Sequence, residues 1–162
     1  AGDVEQSDDI TILALEYLQE PEDITMQRLE YSIVNRLEEI DRINDAFNEF
    51  AEQCGIPMTA SLKINMVFDE LLNNIISYGY RDEEQHTIEV VFECAGQRLS
   101  ISISDDGVPF NPITRKDPDT TQALKDRDIG GLGILLVKKV MDETIYQRRN
   151  NINRMTLIKS FE

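Results

Sequence analysis

Three groups of polar residues in this sequence have the types and spacing that phosphate chemistry requires. Glu70, Asn74 and Tyr78 stand four residues apart in a helical segment, so they form one stripe along that helix. A carboxylate and an amide one turn apart can supply a general base and an oxygen ligand for Mg²⁺. Taken alone, such a stripe is more typical of a solvated helix face.

The second group lies where a predicted strand ends. Apolar and polar residues alternate over residues 98–105, and Asp105 falls on the apolar face whereas Asp106 falls on the other. A carboxylate on a buried face is costly unless a donor satisfies it, and Gly107 lets another group approach closely. By itself, an Asp-Asp-Gly sequence is more often a capped turn than a ligand site.

The third group is a pair of glycines, Gly131 and Gly133, in the segment IGGLGILLVKK at the start of a predicted helix. Free backbone amides at a helix N-terminus bind anions, and glycines leave room for a phosphate. The alternative explanation for the two glycines is a tight loop that needs their backbone flexibility. The segment has neither the Walker pattern G-x-x-x-x-G-K-[ST] nor the third glycine of a Rossmann fingerprint.

The composition restricts the partners. The chain has 162 residues and a formal net charge of -15, which disfavours nucleic acid because binding to phosphate backbones needs clustered Lys and Arg. No apolar run approaches the roughly 20 residues that cross a bilayer, and no signal peptide is evident. We therefore expect a cytoplasmic protein without membrane contact, in which Cys54 and Cys94 are reduced.

Hydrophobic periodicity predicts the elements that position these groups. Apolar residues at helical spacing predict helices over 36–55, 57–80 and 130–143. Alternation predicts strands over 26–34, 86–95 and 98–105, and a C-terminal hairpin that turns at Asn150-Asn151. The order β-α-α-β-β-loop-α-β-β predicts an α+β fold, with an antiparallel or mixed sheet covered by helices on one face.

Taken together and in this order, the three groups resemble the GHKL superfamily of ATPases, and within it the RsbW-like anti-sigma-factor serine kinases. The matching segments are FDELLNNIISYGY (68–80), SDDGVPFNP (104–112) and DRDIGGLGILLVKKVMDE (126–143), in a region that covers residues ~28–160. The resemblance implies a Bergerat-type ATPase fold. This fold is a two-layer α/β sandwich whose mixed, mostly antiparallel sheet carries three helices on one face.

The resemblance also implies a role for each matched residue. Asp105 would accept a hydrogen bond from the adenine amino group, Gly107 would let the base approach, and Glu70 would be the general base for the attacking hydroxyl. The remaining residues would contact the phosphates or support the adenine site: Asn74 through Mg²⁺, Gly131 and Gly133 through backbone amides, Arg127 from an ATP lid over 111–129, and Thr156 by a hydrogen bond. ATP and Mg²⁺ are the expected cofactors.

Three positions depart from the wider superfamily. Pro109 and Phe110 stand where a second glycine is usual, although the anti-sigma subgroup resembles this sequence there. Tyr78 occupies a place that His often holds in the kinases. The chain's single histidine, His86, starts a strand elsewhere, and we interpret it as structural. With these departures nucleotide binding is still expected, but the sequence does not predict the catalytic rate.

The first 24 residues are acidic and contain the apolar segment ITILALEYL at 10–18. SDDITILALEY (7–17) resembles the end of a metal-dependent serine phosphatase domain, in which Asp8 would be a metal ligand. Asp8 alone has too few oxygen partners to hold a metal, so we expect no phosphatase activity from this chain. The predicted organisation is a remnant or linker of such a domain over 1–24, then the kinase domain over 25–162.

The resemblance implies an ATP-dependent protein serine kinase that acts in bacterial partner switching. Its substrate would be a serine of an anti-anti-sigma (STAS-type) protein, its second partner a sigma factor, and its assembly a homodimer. The alternative is a nucleotide-binding regulatory module that sequesters a partner or controls a fused phosphatase without phosphoryl transfer. A sensor histidine kinase is disfavoured, because no helical hairpin with a phosphoacceptor histidine precedes the domain.

Overall fold

Five strands and three helices make up the part of the chain that the structure describes. The structure is a computed structural model, and it describes residues 25–114 and 131–161. In chain order the elements are β1 (Met26–Val34), α1 (Glu39–Gln53), α2 (Met58–Tyr78), β2 (Thr87–Ala95), β3 (Arg98–Asp105), a 3-10 turn (Pro112–Thr114), α3 (Gly131–Val140), β4 (Glu143–Arg149) and β5 (Ile152–Ser160). The predicted segment over 10–18 lies outside the described residues, as do Asp8, Arg127 and most of the predicted lid.

The strands form one sheet in the order β1-β2-β3-β5-β4. Every pairing between these described strands is antiparallel, so the described part of the sheet is antiparallel rather than mixed. Buried residues alternate with exposed or half-buried ones along β2 and β3, because one face of the sheet packs against the helices. The predicted two-layer α+β sandwich is confirmed.

Local sequence explains where the elements turn. Asn150 and Asn151 both have positive φ, of 51° and 62°, which is the conformation that a two-residue type I′ hairpin turn requires and that asparagine tolerates well. Gly55 ends α1 with φ of 68°, a left-handed conformation that favours glycine after a helix.

Helix α2 lies in the middle of the helical layer, where it packs against α1 on one side and α3 on the other. Between the helices α1 and α2 and the sheet, four phenylalanine rings form the centre of the core, and the centroids of the contacting pairs are 5.1 to 5.8 Å apart: Phe47, Phe50, Phe68 and Phe92. Cys54 and Cys94 are both free, as the sequence predicts. No helix within 25–114 or 131–161 is long and apolar enough to cross a membrane.

Candidate functional site

A cavity of about 290 Å³ opens between the C-terminal half of α2 and the ends of β3, β4 and β5. Its walls are mostly apolar, and the loop after β3 supplies Val108, Pro109 and Phe110. Two polar side chains from the sheet, Asp105 and Asn153, line it as well. An apolar cavity with a few convergent polar groups is the usual form of a small-molecule site.

Asp105 is the buried carboxylate of this cavity, with only 6% of its surface exposed. Its Oδ1 accepts hydrogen bonds from the backbone N–H of Gly107 and from Nδ2 of Asn153, both at 2.9 Å. Burial raises the pKa of Asp105 above its ordinary value, and the bonds from Asn153 and Gly107 oppose that rise. Both bonds end on Oδ1, so Oδ2 is the oxygen that could accept a donor from a ligand.

Asn153 is a buried polar residue of the candidate site that the sequence did not predict. It is 5% exposed and lies directly opposite Asp105 in the β3–β5 pairing. Its Oδ1 accepts hydrogen bonds from the Tyr146 hydroxyl and the Arg148 guanidinium, each at 2.7 Å. The alternation of β5 could have found it, because Asn153 shares the parity of buried Met155.

Thr156 does not line the cavity. It pairs with Ser102, and the two hydroxyl oxygens lie 3.5 Å apart on the sheet face that points away from the helices. The family resemblance implies that Thr156 supports an adenine site by a hydrogen bond, but the alternation of β5 brings Asn153, and not Thr156, to the cavity.

Two glycines bring backbone close together below Asp105. Val108 donates its N–H to the carbonyl oxygen of Gly79 at 2.7 Å, which joins the end of α2 to the loop after β3. A Cβ on Gly107 would lie 2.6 Å from that carbonyl oxygen and 2.8 Å from Oδ1 of Asp105. No side chain therefore fits at Gly107 without moving the loop, so glycine is required here for a close approach.

The polar stripe of α2 reaches the other end of the cavity. Nδ2 of Asn74 donates to Oε1 of Glu70 at 2.8 Å, which leaves the amide oxygen of Asn74 as the atom that could bind a cation. Tyr78 lies at the rim of the cavity and is 77% exposed. Among residues 25–114 and 131–161, no group of three His, Cys, Asp or Glu side chains could hold a metal ion.

Helix α3 begins at Gly131 and brings its first turn against Glu70. A Cβ built on Gly133 would lie 1.7 Å from Cδ of Glu70 and 2.0 Å from its Oε1. The glycine thus leaves the space that the Glu70 carboxylate occupies. The structure therefore brings Glu70, Asn74, Gly131 and Gly133 to one end of the site, and Asp105 and Gly107 to the other. Arg127 lies outside the described residues.

The chain is similar in sequence to known protein kinases. The chain is 30% identical over 94 residues to the serine/threonine-protein kinase BtrW of Bordetella bronchiseptica, a match that covers 58% of this chain and 66% of that protein. It is 27% identical over 97 residues to the serine-protein kinase RsbW of Listeria monocytogenes, covering 57% and 62% of the two chains. A third relative, the serine-protein kinase RsbW of Bacillus mycoides, is 26% identical over 121 residues, covering 72% and 75%.

The first two matches thus span slightly less than two thirds of the relatives' own length. They support the resemblance to RsbW-like kinases that the sequence motifs indicate. The likeness of the first 24 residues to a phosphatase domain stays a prediction. The family model of the histidine kinase-like ATPase domain matches residues 33–159, which is most of the chain and includes every described side chain of the site. The chain belongs to the family of histidine kinase-like ATPase domains.

Proposed function

We propose that this protein is an ATP-dependent protein serine kinase and an anti-sigma factor. The observation that carries the proposal is the carboxylate of Asp105, buried at the inner end of an apolar cavity and held there by Asn153 and Gly107. A buried carboxylate is costly to maintain, its oxygen can accept a hydrogen bond from an N–H donor, and the apolar walls favour a flat ring as the carrier of that donor. The relatives named as serine-protein kinases support the same activity.

Adenine would bind at the Asp105 end. Oδ2 of Asp105 would accept a hydrogen bond from the adenine amino group, and Gly107 would let the ring approach the backbone. The apolar walls, including Ile75, Ile103 and Met155, would cover the faces of the ring. The cavity of about 290 Å³ is just below the usual range for small-molecule sites, ~300–1,000 Å³, a size that suits adenine and ribose.

The phosphates would extend toward the first turn of α3. Backbone amides at Gly131 and Gly133 would donate to them, since the N-terminus of a helix favours negative charge. Mg²⁺, held by the amide oxygen of Asn74, would neutralise part of the phosphate charge. Arg127, in the predicted lid over 111–129, would add a cationic contact.

Glu70 would act as the general base. Its carboxylate would take the proton of a serine hydroxyl while the hydroxyl oxygen forms a bond to the γ-phosphorus of ATP. The bond from that phosphorus to the β–γ bridging oxygen would break, and ADP would leave. Phosphoryl transfer depends mainly on positioning and charge stabilisation. The contact with Gly133 would keep Glu70 at the first turn of α3, where the phosphates are expected.

The substrate would be the serine of an anti-anti-sigma protein of the STAS type, and the second partner a sigma factor, which would place the protein in the cytoplasm. A homodimer is the assembly that we propose. The net charge of -15 favours a partner surface with basic residues, because complementary charge accelerates association.

Transfer of labelled phosphate tests the proposal. The protein, ATP labelled on the γ-phosphate and Mg²⁺ are incubated with a panel of purified bacterial anti-anti-sigma proteins. We expect one of them to be labelled on serine by the wild type, and labelling to fall at least ~100-fold with Glu70→Gln, as for loss of a general base. Glu49→Gln, which makes the same change on the exposed face of α1, is the control.

Each other outcome has a distinct meaning. Equal labelling by wild type and Glu70→Gln would contradict the role of Glu70. ATP binding without labelling of any protein in the panel would overturn the kinase proposal and favour the alternative, a nucleotide-binding regulatory module.

A further inference from the structure

The single histidine of the chain, His86, lies between two carboxylates. Nε2 of His86 is 2.8 Å from Oδ1 of Asp82, and Nδ1 is 3.0 and 3.1 Å from the two carboxylate oxygens of Asp106. An imidazole can donate to both carboxylates at once only when both ring nitrogens carry a proton. The contacts therefore fit an imidazolium, and 16% of its side chain is exposed to solvent.

Two neighbouring residues hold His86 in position. Tyr80 stacks on it, with centroids 4.2 Å apart and planes 21° from parallel. The backbone of His86 is bound on both sides to Asn35, which donates its N–H to the carbonyl oxygen of His86 and accepts from the N–H of His86. His86 is thus held beside the end of β1, and from there its ring can hold Asp106 in place.

Asp106 belongs to the turn that shapes the nucleotide pocket, since it stands between Asp105 and Gly107. This turn is held from three sides. Val108 is bound to the end of α2 through Gly79, and the carbonyl oxygen of Gly107 accepts from Arg148 and Asn153 of the β4–β5 hairpin. The third link, from His86 to Asp106, is the one among the described contacts that changes charge near neutral pH.

We propose that His86 is a positioning residue for the nucleotide pocket, which holds Asp106 so that the neighbouring carboxylate of Asp105 faces the cavity. The inference rests on the proposed binding of ATP. It also has an electrostatic part. The charge of Asp106 raises the pKa of Asp105, so a cation on His86 offsets that repulsion and reduces the negative potential that a nucleotide meets.

The pH dependence follows from the groups that face the ring. Asp82 approaches from the loop before β2, Asp106 from the end of β3, Tyr80 stacks from the same loop, and Asn35 of the chain after β1 is uncharged. The hydrogen bond with Asp82, then that with Asp106, raises the pKa of His86 above its ordinary value of 6.5. The imidazolium, and the link to Asp106, is therefore present at low pH and is lost as pH rises through this raised pKa.

Nuclear magnetic resonance tests the contacts without nucleotide. Because the chain has one histidine, its ring resonance reports the titration of His86 alone. We expect a midpoint above 6.5 in the wild type and a lower midpoint in Asp106→Asn, which keeps the shape of the side chain and removes its charge. A midpoint at or below 6.5, or one unchanged by Asp106→Asn, would overturn the proposal.

Calorimetric titration with ATP and saturating Mg²⁺, from pH 6 to pH 9, tests the consequence. We expect the wild-type affinity to fall roughly two- to fivefold across the His86 midpoint, the range of a solvent-accessible charge pair. His86→Gln should bind more weakly at pH 6 and lack this fall. A terminal phosphate itself titrates near pH 6, but that effect is common to both proteins and cancels in their ratio.

The outcomes separate the two proposals. Wild type and His86→Gln with the same affinity at every pH would overturn the role of His86 while ATP binding stands. No binding of ATP by the wild type at any pH would overturn the proposed function and this inference with it. If His86→Gln does not fold, Asp106→Asn replaces it, and we expect its fall in affinity with pH to be smaller than in the wild type and to occur at the lower His86 midpoint of that variant.

Discussion

Helix α2 has two different environments along its length. Its N-terminal half packs Ile64, Val67 and Phe68 into the aromatic core, where each side chain is at most 1% exposed. Its C-terminal half carries Glu70 and Asn74, which are half-buried, and Asn74 lines the cavity. The same helix and the same sheet face therefore build an apolar core at one end and a polar site at the other.

The difference concerns what holds each region together. The core depends on area buried and on close packing, which many apolar residues can provide. The cavity depends on a few hydrogen bonds whose partners must be present together, because each unpaired buried polar group costs free energy. Substitutions in the core should therefore mainly reduce stability, whereas substitutions at the cavity should reduce stability less and also weaken ligand binding.

The largest loss of stability is expected in the core. Phe92 contacts the rings of Phe47, Phe50 and Phe68 and is 0% exposed. Phe92→Ala should lower the free energy of unfolding by about 3–5 kcal/mol, measured by urea denaturation, while Phe92→Leu costs less. A loss under about 1 kcal/mol for Phe92→Ala would show that this cluster does not stabilise the fold.

A smaller loss, accompanied by weaker binding, is expected at Asn153. Asn153→Ala removes a hydrogen-bond partner from the Tyr146 hydroxyl, the Arg148 guanidinium and the Asp105 carboxylate at once. We expect the free energy of unfolding to fall by about 1–3 kcal/mol and ATP affinity to fall about tenfold, measured by denaturation and calorimetry. Thr156→Ala, on the opposite face of the same strand, is the control, and a larger effect there would contradict the placement of the pocket.

Two glycines are required for different reasons, one because no space exists for a side chain and the other because its backbone conformation is left-handed. Gly133→Ala would place a Cβ where the Glu70 carboxylate lies, so phosphoryl transfer should fall about 100-fold without loss of thermal stability. Gly55 has φ of 68° and nothing within 4 Å of its Cβ position. Gly55→Ala should therefore cost about 1 kcal/mol of stability and leave transfer unchanged. The reverse pattern would contradict the account of Glu70.

The smallest effect is the pH dependence from Asp105. Burial raises the pKa of this carboxyl above its ordinary value of 3.8, so the unfolded chain loses the proton at a lower pH than the folded one. The stability that the group contributes is present below that ordinary value and is lost as pH rises through the raised pKa. Asp105→Asn should lack this decline, and a denaturation series at pH 3 to 7 that matched the wild type would contradict it.

Much of the fold could be predicted from the sequence because burial follows periodicity. The predicted helix over 57–80 is α2 (Met58–Tyr78), and the predicted hairpin turn at Asn150-Asn151 is present. The third helix is shorter than predicted, Gly131–Val140 against 130–143. Met141 is still buried beyond its end, so its apolar character extended the predicted helix.

The candidate site could be predicted only in part. Asp105 was found because its strand alternates cleanly, and Glu70 and Asn74 because four-residue spacing fixes one side of a helix. The network around Asn153 depends on the register between β3 and β5, two strands separated by nearly 50 residues, which no local pattern specifies. The role proposed for His86 likewise depends on Asp106, from a different part of the chain.

The central claim is that Asp105 recognises a nucleotide, and calorimetric titration with ATP and Mg²⁺ tests it most directly. We predict saturable binding by the wild type and loss of binding in Asp105→Asn, whose amide keeps an oxygen for Gly107 and Asn153 but presents a donor to adenine. Asp45→Asn, the same charge change on the exposed surface of α1, should bind as the wild type does. Absence of binding by the wild type, or equal binding by Asp105→Asn, would contradict the account.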